Sequence, residues 1–217
     1  MPELNFRVEK IEPLRHAASP HLIFRLVLEQ EQGKPVAIQN ILLHVQLRIE
    51  PHLRSYDEAS RHRLAELFGE AEQWSRTLHG MRWTSVDTVV PRFIGHTTVD
   101  LVVPCTYDFN VAATRYFDGT REGDVPLRLL FSGTIFHAGE TGSIQVALIP
   151  WEKEAECRLP LQVWKDMMEL YYPRSAWLRI GKDVFDQLLE YKRRTGATGW
   201  EEAFEQLLES AEARNPR

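Results

Sequence analysis

The residues best suited to chemistry in this 217-residue chain are one histidine and two aspartates. His96 and Asp100 are four positions apart in a run of alternating apolar and polar residues, so both side chains fall on one face of a strand. Asp108 follows beyond Pro104. An imidazole and two carboxylates can hold a metal ion or transfer protons, so one hypothesis is a metal-dependent hydrolase that uses all three. A polar solvent face followed by a turn aspartate explains the same pattern, and we favour it.

Complete catalytic and cofactor-binding motifs are missing from the sequence. It has no Gly-x-Ser-x-Gly nucleophile motif, no glycine-rich dinucleotide or phosphate loop, and no pair of histidines at the spacing of a zinc-binding helix. We therefore predict no cofactor and favour a protein that is not an enzyme.

Aromatic residues form the second group of candidates. Trp74, Trp83, Phe93 and Tyr107 lie in or near predicted loops and helices. Because tryptophan and tyrosine concentrate in binding hot spots, these four residues predict a surface for a protein partner. A small-ligand or carbohydrate site with Trp83, Phe93 and Tyr107 as exposed stacking platforms is the alternative. Packing in the core is the commonest role of a large aromatic ring and explains the same residues.

Composition narrows the class of protein. The net charge is −5 and the pI is about 5.9, which disfavours a nucleic-acid partner. No apolar run is long enough to span a membrane, and the N-terminus lacks the pattern of a signal peptide. Cys105 and Cys157 are too few for a disulfide scaffold and predict two reduced, buried thiols. We predict a cytoplasmic protein.

Strands dominate the first two-thirds of the chain. Apolar and polar residues alternate with the period of two that half-buried strands require. Short turns between these runs favour antiparallel pairing. The alternation predicts strands at residues 22–29, 41–49, 97–113, 127–135 and 144–148.

Helical periodicity replaces this alternation in two places. Residues 55–80 predict one or two short helices inserted between strands, with Ser55 as the N-cap. In the last third, helices are predicted from Pro160 onward, at 184–194 and at 200–213, and the last two form an αα-hairpin.

These elements predict an α+β fold. Residues 1–151 form an antiparallel β-sandwich with the helical insertion at about 55–80. Residues 152–217 form a helical C-terminal segment that packs on the sandwich. The sequence leaves the oligomeric state open.

Short motifs rich in proline, glycine and aromatic residues are spread over most of the chain. They include Val-Pro-Arg-Phe-Ile-Gly at 90–95, Val-Pro-Cys-Thr-Tyr-Asp-Phe at 103–109, Leu-Phe-Ser-Gly-Thr at 130–134 and Ile-Pro-Trp at 149–151. The set resembles an uncharacterised bacterial family of unknown function that accompanies nickel–iron hydrogenase gene clusters. The resemblance implies an accessory or maturation role, with a hydrogenase component as the partner, and it transfers no catalytic residue.

Overall fold

The computed structural model describes residues 2–31, 35–105, 111–139, 142–175 and 180–214. Its strands are β1 (Leu4–Pro13), β2 (His21–Gln30), β3 (Ile38–Ile49), β4 (Met81–Val90), β5 (His96–Pro104), β6 (Asp124–Ala138), β7 (Ile144–Leu148) and β8 (Glu154–Pro160). Its helices are α1 (Glu58–Phe68), α2 (Trp74–Thr77), α3 (Val111–Gly119), α4 (Leu161–Tyr171), α5 (Lys182–Thr195) and α6 (Trp200–Arg214). None of the described helices is both long enough and apolar enough to span a bilayer.

The strands form two antiparallel sheets. A three-stranded sheet has the order β1-β2-β5. In the five-stranded sheet, β4, β3, β6 and β7 are neighbours in that order, and β8 is the fifth strand, paired with β6. The fifteen-residue strand β6 pairs with β3 along one side. On its other side, β6 pairs with β8 through its first half and with β7 through its second half.

The two sheets share one hydrophobic core. In β3, Ile41 and Leu43 are buried and the intervening Leu42 is exposed, as the alternation predicts. Phe6 from the three-stranded sheet stacks on Phe131 from the five-stranded sheet, with ring centroids 4.1 Å apart. This contact joins residues of both sheets in the same core cluster.

The helical insertion begins two residues later than predicted. Asp57, not Ser55, is the N-cap of α1, because its carboxylate accepts a hydrogen bond of 2.9 Å from the backbone N–H of Ser60. The helix ends at Gly69, which adopts a φ of +77°.

A helix replaces the end of one predicted strand. The sequence predicted that the strand ending near Pro104 continues to Ala113, but α3 occupies the residues from Val111 onward. Ala113, Tyr116 and Phe117 are buried together, at the spacing of one helix face. Helical burial of that face therefore overrides the predicted alternation from Val111 onward, and the part of that alternation at 106–110 lies outside the described residues.

The boundary predicted at residue 151 is also corrected. Strand β8 lies in the segment that was predicted to be helical, since Ala155, Cys157 and Leu159 alternate and face the core side of the sheet. The chain separates into two compact units, Met1–Ser175 and Ala176–Arg217. Helix α4 belongs to the first unit, where the Tyr171 hydroxyl donates to the Leu14 carbonyl at 2.7 Å. In the second unit α5 and α6 form the predicted hairpin, with the Phe185 and Trp200 rings 5.3 Å apart.

Gly133 in β6 gives a test of this sheet. Its φ is +141°, and a Cβ there would lie 2.0 Å from the carbonyl oxygen of Leu42 on β3. Because both the backbone angle and the contact oppose a side chain, we expect Gly133→Ala to lower the free energy of unfolding by about 3 kcal/mol or more in urea titrations.

Gly142→Ala is the matched control for the close contact. Gly142 also has a positive φ, +78°, but no atom lies within 4 Å of the added Cβ. We therefore expect Gly142→Ala to lower the free energy of unfolding by only about 1 kcal/mol, the cost of a side chain at a positive φ. Equal losses in the two variants would contradict the register of β3 against β6.

Candidate functional site

His96 and Asp100 share the exposed face of β5, as their spacing predicted. Asp100, however, is already engaged: it is the register partner of Arg25 on β2 and accepts a hydrogen bond from the Arg25 Nε at 3.0 Å. Asp108 lies outside the described residues, so the convergence of all three side chains stays a prediction. Among the side chains that are described, no group of three or more potential ligands is arranged to hold a metal ion.

Three of the four predicted aromatic binding residues are core residues. The side chains of Trp74, Trp83 and Phe93 are at most 9% exposed. The Trp83 ring packs 5.2 Å from Phe117, and Trp74 donates from its Nε1 to the Gly69 carbonyl at 2.9 Å. These buried rings have no free face for a sugar or a partner, so the structure corrects the predicted surface.

Tyr107, the fourth predicted aromatic residue, lies outside the described part of the chain. Its role stays a prediction.

Two buried tyrosines connect the insertion to α3. The Tyr56 hydroxyl donates to the Pro51 carbonyl at 2.7 Å and lies 2.7 Å from the Tyr116 hydroxyl. Since Tyr56 gives its only proton to Pro51, Tyr116 must donate to Tyr56. Burial raises the pKa of both hydroxyls, which keeps them neutral. Their role is to hold the fold together.

Among the described residues, the clefts beside Glu50, Arg54 and Leu42 involve polar or charged side chains, and each of them is small. One of about 150 Å³ adjoins Glu50, whose nearly buried carboxylate lies 3.5 Å from Arg48 and 3.6 Å from His52. The others measure about 250 and 230 Å³. Pockets that enclose small-molecule ligands usually have at least about 300 Å³, so these clefts are poorly suited to enclose one.

The outer face of the five-stranded sheet carries a row of side chains that is apolar except for Thr134. Val89, Leu42, Thr134 and Leu148 are direct register partners across β4, β3, β6 and β7. We use the term apolar face for the large side chains of this region, which are each between 50% and 68% exposed: Leu42, Val89, Ile144, Val146 and Leu148.

Charged residues occupy the other half of the same outer surface. Arg128 on β6 forms ion pairs with Glu154 at 3.9 Å and Glu156 at 3.0 Å on β8. Between the two halves, the His44 Nδ1 lies 2.7 Å from the Asp87 carboxylate. The cleft of about 230 Å³ is formed here, with Leu42, His44, Asp87 and Val89 among its walls. The apolar face is therefore bordered by polar groups.

The sequence did not reveal this surface. Ile144, Val146 and Leu148 form the apolar side of a strand, and such a side is expected to face the core. The structure turns that side outward and buries Ala147 instead. One available signal was Leu42, an apolar residue at an outward position in the alternation of β3.

The fold and this surface define an α+β protein built from two antiparallel sheets and helices. The chain matches a family of unknown function, DUF6084, over residues 1–216, and it belongs to that family. No curated protein sequence matches the chain.

Two solved structures show a distant likeness. The CARDB domain of the PF1109 protein from Pyrococcus furiosus, in complex with di-metal ions, is 9% identical, with 73% of this chain and 92% of that chain covered and a TM-score of 0.25. A protein from Archaeoglobus fulgidus is 10% identical, with 70% of this chain and 96% of that chain covered and a TM-score of 0.27. Neither likeness carries an argument about this chain.

The tyrosine pair predicts unequal effects of removing each hydroxyl. Tyr56→Phe leaves both the Pro51 carbonyl and the Tyr116 hydroxyl without their partner, so we expect a loss of about 2 kcal/mol in the free energy of unfolding. In Tyr116→Phe the bond from Tyr56 to Pro51 survives, and the expected loss is about 1 kcal/mol. Chemical denaturation of both variants measures the difference, and a larger loss in Tyr116→Phe would contradict the assigned hydrogen bonds.

The two cysteines are predicted to be unreactive in the folded protein. Both are free thiols, and burial raises the pKa of each to about 12. At pH 8 a thiol reagent should therefore react roughly 10³-fold more slowly with the native protein than with the urea-unfolded chain, because the thiolate is the reactive form. The native rate should rise with pH up to about 12. Fast labelling of either cysteine in native protein at pH 8 would show that its thiol is accessible and ionised.

Proposed function

We propose that this chain is a protein-binding module, without a catalytic role, that docks a partner on the apolar face. The observation that supports the proposal is the set of five large, exposed apolar side chains on the outer face of the five-stranded sheet, which Thr134 links across β6. Contiguous exposed apolar side chains are uncommon on monomeric proteins, and they mark interaction sites. Covering them stabilises a complex by about 25 cal/mol for each Å² of apolar area removed from water.

The surroundings of the apolar face fit a protein interface. Interfaces have an apolar centre and a polar rim, and here the rim contains the His44–Asp87 pair and the ion pairs of Arg128. The cleft of about 230 Å³ beside Leu42 and Val89 has room for one apolar side chain of a partner. We infer that such a side chain is the anchor of the complex.

The sequence motifs and the free thiols support a wider role for the module. We infer that the two sheets form a β-sandwich, that the protein acts in the cytoplasm, and that its partner is a component of hydrogenase assembly. The free thiols of Cys105 and Cys157 support a reducing compartment. The hydrogenase component rests on the family resemblance alone, and identification of the partner tests it.

A charge placed on the apolar face should abolish partner binding. We expect tagged wild-type protein, recovered under gentle lysis from cells that naturally produce it, to bring down a stoichiometric partner. Val89→Glu should lose that partner by at least about tenfold, because the carboxylate must be desolvated in the interface. Quantitative mass spectrometry of the recovered complexes measures the loss.

Val102→Glu is the matched control. Val102 is an exposed valine of the other sheet, on β5, and its substitution should leave the recovered partner unchanged. Recovery of the wild-type protein alone, or an equal loss in both variants, would refute docking on the apolar face. A partner without any hydrogenase subunit would refute only the inferred partner class.

A further inference from the structure

The outer edge of β7 presents backbone groups that pair with no other strand in the described part of the chain, and they follow a defined pattern. Ile149 donates its N–H to the Gly133 carbonyl at 3.0 Å, and Gly139 donates to the Ser143 carbonyl at 2.7 Å. Hydrogen-bonded pairs alternate along an antiparallel ladder, so the odd-numbered residues of β7 direct their N–H and C=O groups toward β6. The same groups of Ile144, Val146 and Leu148 therefore point away from β6, where no described strand pairs with them.

This edge lacks the charges that protect the others. Strands at sheet margins usually carry charges, prolines or bulges that prevent pairing with another chain. The other margins follow this rule: β1 contains Arg7 and Lys10, β4 Arg82 and Asp87, β5 Asp100, and β8 Glu154 and Glu156. Strand β7 has the sequence Ile-Gln-Val-Ala-Leu and contains none of these features.

We propose that β7 pairs with β7 of a second copy of this chain, antiparallel and with Val146 on the two-fold axis. In this register Val146 faces Val146 of the second copy, and Ile144 faces its Leu148. All of these residues direct their backbone groups outward, so each facing pair is a hydrogen-bonded pair, and the three pairs together form six backbone hydrogen bonds. The register that is symmetric about Val146 is thus also the register that satisfies the exposed backbone.

The side chains favour a second copy over a foreign strand. Ile144, Val146 and Leu148 lie on one face and are 61% to 68% exposed. In the symmetric pair each meets an apolar side chain of the other copy, and no charged group is buried. Directly opposed aliphatic residues stabilise antiparallel pairs, so the strand is complementary to itself. The two five-stranded sheets then continue into one another.

Self-pairing uses the backbone edge of β7, although the side chains of Ile144, Val146 and Leu148 also belong to the apolar face. The backbone groups that pair lie at the β7 margin, whereas Val89 lies on β4 at the opposite margin of the same sheet. Val89→Glu therefore tests partner docking without changing the strand that self-pairs.

Sedimentation velocity of the full chain tests the second copy. At tens of micromolar we expect a dimer for the wild type, and a rise of at least tenfold in the dimer dissociation constant for Val146→Lys, which places two like charges face to face. Val89→Glu should remain dimeric. A monomeric wild type, or a dimer that Val146→Lys leaves unchanged, would overturn the proposal. A monomeric wild type that still loses its partner through Val89→Glu would overturn the second copy and retain partner docking.

Cross-linking gives a measurement that does not depend on weakening the dimer. Facing residues of a hydrogen-bonded pair have Cα atoms about 5.5 Å apart, within reach of a disulfide. Mild oxidation of Val146→Cys should yield a covalent dimer on a non-reducing denaturing gel. Val102→Cys should form no covalent link and should run as a single chain on that gel. The native Cys105 is buried and Cys157 is partly buried, and because burial raises the pKa of both thiols they should not contribute. Equal cross-linking of both variants would overturn the register.

Discussion

The pairing of β6 with strands on both of its sides is the constraint on which the rest of the structure depends. Its core-facing residues, including Leu129, Phe131 and Ile135, bring the five-stranded sheet against the Phe6 ring of the other sheet. Its second half carries β7, the strand that provides three of the five side chains of the apolar face. Gly133 lies just before this second half, where only a residue without a Cβ fits against the Leu42 carbonyl. Core and candidate surface therefore depend on the same strand.

Local patterns in the sequence determine local structure well in this protein. The alternation in β3 predicted its buried face, because the period of a strand is visible within a few residues. Helices α4, α5 and α6 were predicted because the helical period of their apolar residues is equally visible in the sequence. One failure arises where two patterns coincide. Residues before Ala113 alternate like a strand, yet burial of Tyr116 and Phe117 on one helix face decides the structure of α3. Strand β8 was missed because its seven residues gain their stability from pairing with β6.

The candidate site was harder to predict because exposure is a property of the assembled sheets. Trp74, Trp83 and Phe93 have the residue types of a binding surface, but nothing local distinguishes a ring in a hot spot from a ring in the core. The outward direction of Val146 depends on which side of β7 meets the shared core, and that is fixed by its register with β6. Residue type alone therefore suggested a surface position for Trp74 and Trp83 and a core position for Val146. The structure reverses both, and the exposed surface follows from the pairing of the strands.

We expect another protein to cover the apolar face in the cell. Site-specific photo-cross-linking from position 89, in living cells, tests it most directly. A photoreactive residue at position 89 should give a discrete cross-linked adduct, and the same residue at the exposed position 102 of the other sheet should not. The absence of any adduct from position 89, or the same adducts from both positions, would contradict the account.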